Sequence, residues 1–266
     1  MEQTTRPPEF VEALAKGLAI IECFDSGHAE MSLSEIARRT GLTPAAARRS
    51  LITLVELGYA GHANKRFFLR PKVMGLGSAF YFSARIDEML LPELRNVVED
   101  FGDAASVGTL DAEDVIYIAH YSVQRARRAT AVVGARYPAH ATSLGRVLLA
   151  GLPDDKLCAY FHDLRPKALT NKTVTDKDAL RREVELARER NYATTVDQLD
   201  YGITAIAVPI RGSNGRTIAA LNSSGYTGLV TPEQLVTERL PKLQATASRI
   251  AHAIARYPMA ESIIGS

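Results

Sequence analysis

Ser32-Leu33-Ser34-Glu35-Ile36-Ala37-Arg38-Arg39-Thr40-Gly41-Leu42-Thr43-Pro44 opens the most informative stretch of this 266-residue chain. Ser32 and Glu35 have the spacing of a capping box, in which each side chain satisfies a free backbone N–H of the other. A short helix through Thr40 follows, and Gly41-Leu42 supplies a tight turn. Thr43 then caps a second helix, with Pro44 at the first helical position, where a missing N–H costs nothing. That helix runs to Leu57 and Gly58 stops it; Tyr59–Leu69 reads as a hairpin turning near Asn64-Lys65. Helix, turn, helix and hairpin in this order predict a winged helix-turn-helix, a fold that presents one helix to the major groove of DNA.

Charge supports that reading only when taken by segment. The whole chain carries a formal +2, but residues 1–37 sum to −5, residues 38–72 to +7, and residues 73–266 balance. The positive excess therefore sits where phosphate would be met. Within the second helix, Ala47, Leu51 and Leu54 share one face, leaving Ala45, Arg48, Arg49 and Ile52 on the other. The expected DNA contacts are Thr43, Pro44, Ala45, Ala46, Arg48 and Arg49 at the helix, and Lys65 and Arg66 at the wing. Arg38 and Arg39 have a weaker claim, because the first helix of such a motif skirts the backbone.

Working outward, Phe10–Phe24 is a helix with Val11, Leu14, Leu18, Ile21 and Cys23/Phe24 near helical spacing, expected to pack on the reading head. Val73–Met89 predicts a linker helix, and its Phe80-Tyr81-Phe82 cluster suggests a dimer contact in preference to packing onto the chain's own second domain. Beyond residue 90 helices and strands mix: Leu91–Phe101, Leu144–Ala150, Asp154–His162, Asp176–Arg190 and Pro232–Arg256 read as helices. Ala105–Leu110, Val115–Tyr121, Thr130–Val133, Ile203–Ile210 and Thr217–Asn222 read as strands, the last two flanking the hairpin signal Gly212-Ser213-Asn214-Gly215. The expected fold class is α+β: a winged head over residues 8–71, a linker over 72–89 and a sensor-type domain over 90–258.

Two cysteines far apart suggest a reducing compartment rather than a disulfide framework. Residues 1–12 have no apolar core of the secretory type and no run of about 18 apolar residues occurs, so a cytoplasmic protein without membrane contact is expected. No paired His/Cys spacing points to a metal, no glycine loop to a nucleotide, and no cofactor is expected. His140, Ser143 and Asp197 form a nominal hydrolytic trio, but no nucleophile elbow surrounds Ser143. An enzyme carrying a DNA-binding head therefore ranks below a regulator, and an architectural DNA binder without a ligand ranks lower still.

Four stretches in order resemble the IclR family of bacterial regulators over nearly the whole chain. They are Leu33–Leu42, Thr53–Tyr59, Tyr137–Ala150 and Gly202–Ile210. The second-domain wording is closest to the branch governing protocatechuate and 4-hydroxybenzoate breakdown. The resemblance implies a GAF-like effector-binding domain, dimers or dimers of dimers on operator DNA, and a small organic acid as effector. It places effector contacts at Tyr137, Ser143, Leu144, Ile203, Ala205, Asn222 and Ser224. Thr142 joins them because Thr142-Ser143 opens a helix, whose unpaired N–H groups suit an anion. His120 stands where that branch often has arginine, and the loop Val196–Tyr201 lacks the acid expected after Gln198.

Overall fold

A computed structural model describes residues 7–25, 27–83, 85–123 and 131–265. The chain divides into two compact units, Met1–Phe80 and Tyr81–Ser266. In the first, helices α1 (Glu12–Glu22), α2 (Leu33–Thr40) and α3 (Pro44–Glu56) enclose Ile20, Ile36, Ala37, Ala47, Leu51 and Leu54. Strands β1 (Glu30–Met31), β2 (Ala60–Ala63) and β3 (Arg66–Leu69) form an antiparallel sheet in the order β1-β3-β2.

Local chemistry accounts for each boundary. Ser32 Oγ accepts from the Glu35 amide, and the Glu35 carboxylate accepts from the Ser32 amide at 2.7 Å. Gly41, at φ 67°, ends α2 in the left-handed conformation that glycine adopts without strain. Asn64 and Lys65 both have positive φ, 52° and 63°, the paired geometry whose twist matches a two-residue hairpin.

The apolar residues of α1 divide differently from the expectation. Ile20 is fully buried, whereas Val11, Leu14 and Leu18 are 60%, 62% and 43% exposed. Positions 18 and 20 lie about 200° apart around a helix, so burying Ile20 turns Leu14 and Leu18 outward. The linker also departs from the single helix Val73–Met89. A 3₁₀ turn at Pro71–Val73 leads into α4 (Met74–Ser83), and α5 (Ile86–Met89) is a separate turn. Between them Arg85 has φ 52°, a left-handed value that interrupts an α-helix. Its side chain is fixed there by Glu88 at 2.6 Å and by stacking over the Tyr257 ring.

The second unit opens with α6 (Leu91–Phe101) and the hairpin β4 (Ala104–Asp111) and β5 (Asp114–Ser122). Next come β6 (Arg136–Pro138), α7 (Ser143–Ala150), α8 (Asp154–Asp163), α9 (Lys177–Arg190) and β7 (Ala193–Val196). The long hairpin β8 (Ile203–Arg211) and β9 (Thr217–Tyr226) completes one antiparallel sheet, ordered β6-β5-β4-β9-β8-β7. Of the strand expected at Thr130–Val133, Thr130 lies outside the described residues and Ala131–Val133 are not extended pairs. The edge strand starts at Arg136, held to the β4–β5 turn by Asp111 and Asp114. The final helix is also divided: α10 (Pro232–Gln234), a π turn at Leu235–Arg239, α11 (Leu240–Ala255) and α12 (Pro258–Ile264).

Helices α7, α8 and α9 build one core against the sheet, with Leu144, Val147, Leu148, Phe161, Leu180 and Val184 all buried. Alternate strand residues such as Val107, Ile206 and Leu221 are buried toward the other face, beside α6 and α11, which an Arg249–Glu93 pair at 2.7 Å joins. His140, just before α7, is 4% exposed and its Nε2 donates to the Lys167 carbonyl at 3.1 Å. Burial holds its pKa below the ordinary 6.5. Because the unfolded chain then binds the proton more readily, stability is complete above about pH 6.5 and falls as pH drops toward the depressed value. Thermal unfolding from pH 8 to 5 should show this loss, and His140→Gln should flatten it.

Candidate functional site

Two surfaces carry candidate chemistry, one in each unit. On the head, Thr43 Oγ accepts from the Ala46 amide at 3.3 Å, so α3 begins where the sequence places it. Pro44 and Ala45 are exposed and Ala46 is half-buried in that first turn, where N–H groups lack helical partners. The Arg48 and Arg49 side chains are exposed and make no hydrogen bond or ion pair among the described residues; the Lys65 side chain likewise stands free at the wing tip.

Other basic residues are committed elsewhere. Arg66 lies 3.5 Å from Glu30 and 3.6 Å from Glu35, and it donates to the Glu30 carbonyl. Its charge is thus largely matched within the head, by acids that the segment sum of +7 left out. Arg39 pairs with Asp25 at 2.6 Å and donates to the Cys23 carbonyl, closing the loop after α1. Ile52, expected on the DNA face, is 51% exposed and opens onto a groove lined also by Leu14, Leu18, Leu57 and Leu76. Arg49 borders the same groove. A groove of that composition suits protein rather than phosphate.

In the second unit the sheet floor is made of small side chains. Strand register sets Thr195, Ala205, Ser224, Ala104 and Ser122 in one row, and Ala207, Asn222, Ser106 and His120 in the next. Side chains this short leave space beneath α7, and a cavity of about 370 Å³ fills it. This volume falls within the roughly 300–1,000 Å³ of small-ligand sites. Tyr137, Thr142, Ser143, Ile203, Ala205, Asn222 and Ser224 line it. Leu144 does not: one helical step rotates it about 100° from Ser143, and it packs fully buried in the core near Gly108.

The polar groups are individually placed. Thr142 Oγ1 accepts from the Gly145 amide at 3.0 Å and caps α7. Ser143 Oγ is buried with no hydrogen-bond partner among the described residues. Asn222 Oδ1 accepts from the Ser106 amide at 3.0 Å, which leaves its NH₂ as a donor; Ser106 Oγ meets His120 Nδ1 at 2.9 Å. Tyr117 and Tyr137 pack at 4.8 Å and form an aromatic wall. Burial raises the Tyr137 pKa and keeps the phenol neutral. Asp103 at one end is matched by buried Arg239, 3.0 Å away, which also donates to Ser223 Oγ.

Ser106, Tyr117, Thr195, Leu199 and Asp200 line the cavity and were not foreseen. The signal was available in cross-strand pairing, since Ser106 faces Asn222 and Thr195 faces Ala205. The nominal trio does not assemble: His140 Nε2 serves the Lys167 carbonyl, Asp197 accepts from Gly202 and Thr227, and Ser143 Oγ touches neither. Among the described residues no group of His, Cys, Asp and Glu could hold a metal, and no helix is long and apolar enough to cross a membrane.

A winged reading head joined to a ligand-sized cavity defines a one-component transcriptional regulator. Residues 13–62 match the IclR helix-turn-helix domain and residues 81–252 the bacterial transcriptional regulator IclR C-terminal domain. The chain belongs to the IclR family; it is a DNA-binding transcriptional regulator and not an enzyme. The Pca regulon regulatory protein of Pseudomonas putida is 35% identical, over 93% of this chain and 86% of its own length. The p-hydroxybenzoate hydroxylase transcriptional activator of Acinetobacter baylyi is 32% identical, over 94% of each. The crystal structure of an IclR homolog complexed with 4-hydroxybenzoate, from Microbacterium hydrocarbonoxydans, superposes with a TM-score of 0.73. It shares 25% identity, over 92% of this chain and 99% of that one.

Proposed function

We propose that this regulator binds a small aromatic carboxylate in the cavity beneath α7 and responds by changing its hold on operator DNA. The observation that carries the reading is the start of α7, where the Ser143 hydroxyl is buried beside the cavity without a partner among the described residues. Helix starts present free N–H groups and a positive dipole end, which suit a carboxylate. Tyr117, Tyr137 and Ile203 supply apolar walls, and the Asn222 amide is placed to fix a ring substituent. Relatives that regulate the pca genes and p-hydroxybenzoate hydroxylase, and one solved with 4-hydroxybenzoate, support the same class.

Calorimetry with 4-hydroxybenzoate and protocatechuate tests this reading directly. Ser143→Leu combined with Asn222→Leu should abolish binding of whichever acid the natural protein takes, with the fold intact by circular dichroism. Undiminished binding by the double variant would place the pocket elsewhere.

On DNA, the reading assigns contacts to Arg48, Arg49 and Lys65 and to the first turn of α3 from Thr43 to Ala46. Arg66 and Arg39 serve the head's own architecture. One short recognition helix reads few bases, so two copies are required for a specific site. The outward apolar stripe of Val11, Leu14 and Leu18, with Ile52 and Leu57, is the surface proposed to bring two heads together. Footprinting should reveal a pseudo-palindrome with half-sites separated by whole helical turns, roughly 34 Å each. Occupation of one asymmetric half-site by a monomer would exclude the dimer. The segment Met74–Met89 then transmits the ligand's effect, limited by its differential affinity for the two arrangements of the heads.

A further inference from the structure

Helix α7 reverses the usual electrostatic order of a helix start, and it does so in the protein interior. The positive end of a helix dipole favours acids in the first turn and disfavours cations. The first turn of α7 contains no acid, and its fourth residue, Arg146, is a guanidinium only 2% exposed. Two features of one sign are therefore stacked together, next to the orphaned Ser143 hydroxyl.

Compensation around Arg146 is thin. Its Nη2 donates to the neutral Gln198 amide oxygen at 2.6 Å, and its Nη1 to the Thr194 carbonyl at 3.3 Å. The single carboxylate paired with it among the described residues is Glu183, 3.3 Å away but 46% exposed, where water screens it. The buried Nε has no partner among the described residues. A buried cation so placed calls for an opposite charge nearby, and desolvation accordingly pulls its pKa down. The partners of Arg146 adjoin the cavity: Thr195 and Leu199, which line it, follow Thr194 and Gln198 directly. The described lining itself holds no lysine or arginine; of its two acids, Asp103 is matched by Arg239 and Asp200 accepts from the Tyr201 amide.

We propose that Arg146 makes this cavity select a carboxylate over its uncharged analogue, acting across the cavity wall rather than by touching the ligand. The assignment rests on the effector reading above and adds to it a specificity-determining residue outside the lining. An anion at the start of α7 completes the charge balance that Glu183 leaves unfinished, and low-dielectric protein between them keeps the attraction strong.

The test compares 4-hydroxybenzoate with its neutral amide, 4-hydroxybenzamide, by calorimetry on the full chain. Arg146→Gln should lower the acid-to-amide affinity ratio about tenfold, mostly through the acid, as one partly screened charge would. Arg146→Lys should keep most of the preference. Glu183→Gln, on the surface, should raise the ratio by freeing Arg146 from its competitor. A folded Arg146→Gln variant with the natural ratio overturns the proposal while the effector reading stands. Should Arg146→Gln fail to fold, an unchanged ratio in Glu183→Gln overturns it instead. Binding of neither 4-hydroxybenzoate nor protocatechuate, nor of their amides, by the natural chain removes the effector reading and this proposal with it.

Discussion

Replacing Arg48 and Arg49 together by alanine is expected to weaken operator binding by about two orders of magnitude, with no loss of the fold. Both guanidinium groups are exposed in the first half of α3 and have no hydrogen-bond or ion-pair partner among the described residues. Nothing inside the head depends on them. A base-reading arginine contributes roughly 1–3 kcal/mol of discrimination, whereas a phosphate contact contributes sequence-independent affinity and about one unit of salt slope. The two single variants should therefore differ in kind. One should relax preference at a single operator position, and the other should flatten the dependence of log K on log salt. Fluorescence anisotropy over a salt series, on operator and scrambled duplexes, separates them. Unchanged binding in the double variant would show that α3 does not face DNA through these residues. Arg66→Ala should behave differently, lowering the stability of the wing as well as affinity, because Glu30 and Glu35 lose their partner.

Gly145→Val is expected to be the most damaging single change in the second unit. A Cβ at residue 145 would stand 2.1 Å from the Ala139 carbonyl oxygen and 2.3 Å from the Ala139 Cα. Both are backbone atoms of the 3₁₀ turn Ala139–Ala141, so no rotamer change relieves the clash. Helix α7 must move off that turn and carry Ser143 out of the cavity wall with it. Overpacking against backbone costs on the order of 3 kcal/mol or more, which in a unit of this size lowers the melting temperature by roughly 6–12 °C. Ligand binding should be lost together with stability. Gly77→Ala is the matched control: it lies within α4 with nothing inside 4 Å of the added methyl. There alanine should be neutral or mildly stabilising, by about 0.5–1 kcal/mol. Equal melting temperatures for Gly145→Val and the natural protein would contradict the packing described here.

The two ends of the chain show why some features are legible in sequence and others are not. The reading head rests on short-range chemistry. A capping box, a glycine in the left-handed region and an Asn-Lys turn each act within four residues, so their meaning does not await the rest of the fold. The cavity is different in kind. Ser106 and Thr195 are unremarkable in a linear reading; register alone sets them beside Asn222 and Ala205. Leu144 shows the converse, since its side chain, adjacent to Ser143 in sequence, is a rotation away from it on the helix and packs in the core.

Sequence by itself determined the family, the winged head and the α+β class of the second domain, and it named seven of the residues that line the cavity. Local hydrogen bonding and helical or strand periodicity operate over a few residues, and the family motifs preserve them. Tertiary structure alone decided which charges are free. Arg39 and Arg66 are matched by Asp25, Glu30 and Glu35, residues up to 36 positions away. It decided that α1 turns Leu14 and Leu18 outward, that Arg85 breaks the linker, and that Arg146 is buried with one screened carboxylate. Each of these depends on what lies across a gap in space, and Coulomb attraction and burial follow distance in three dimensions rather than separation along the chain.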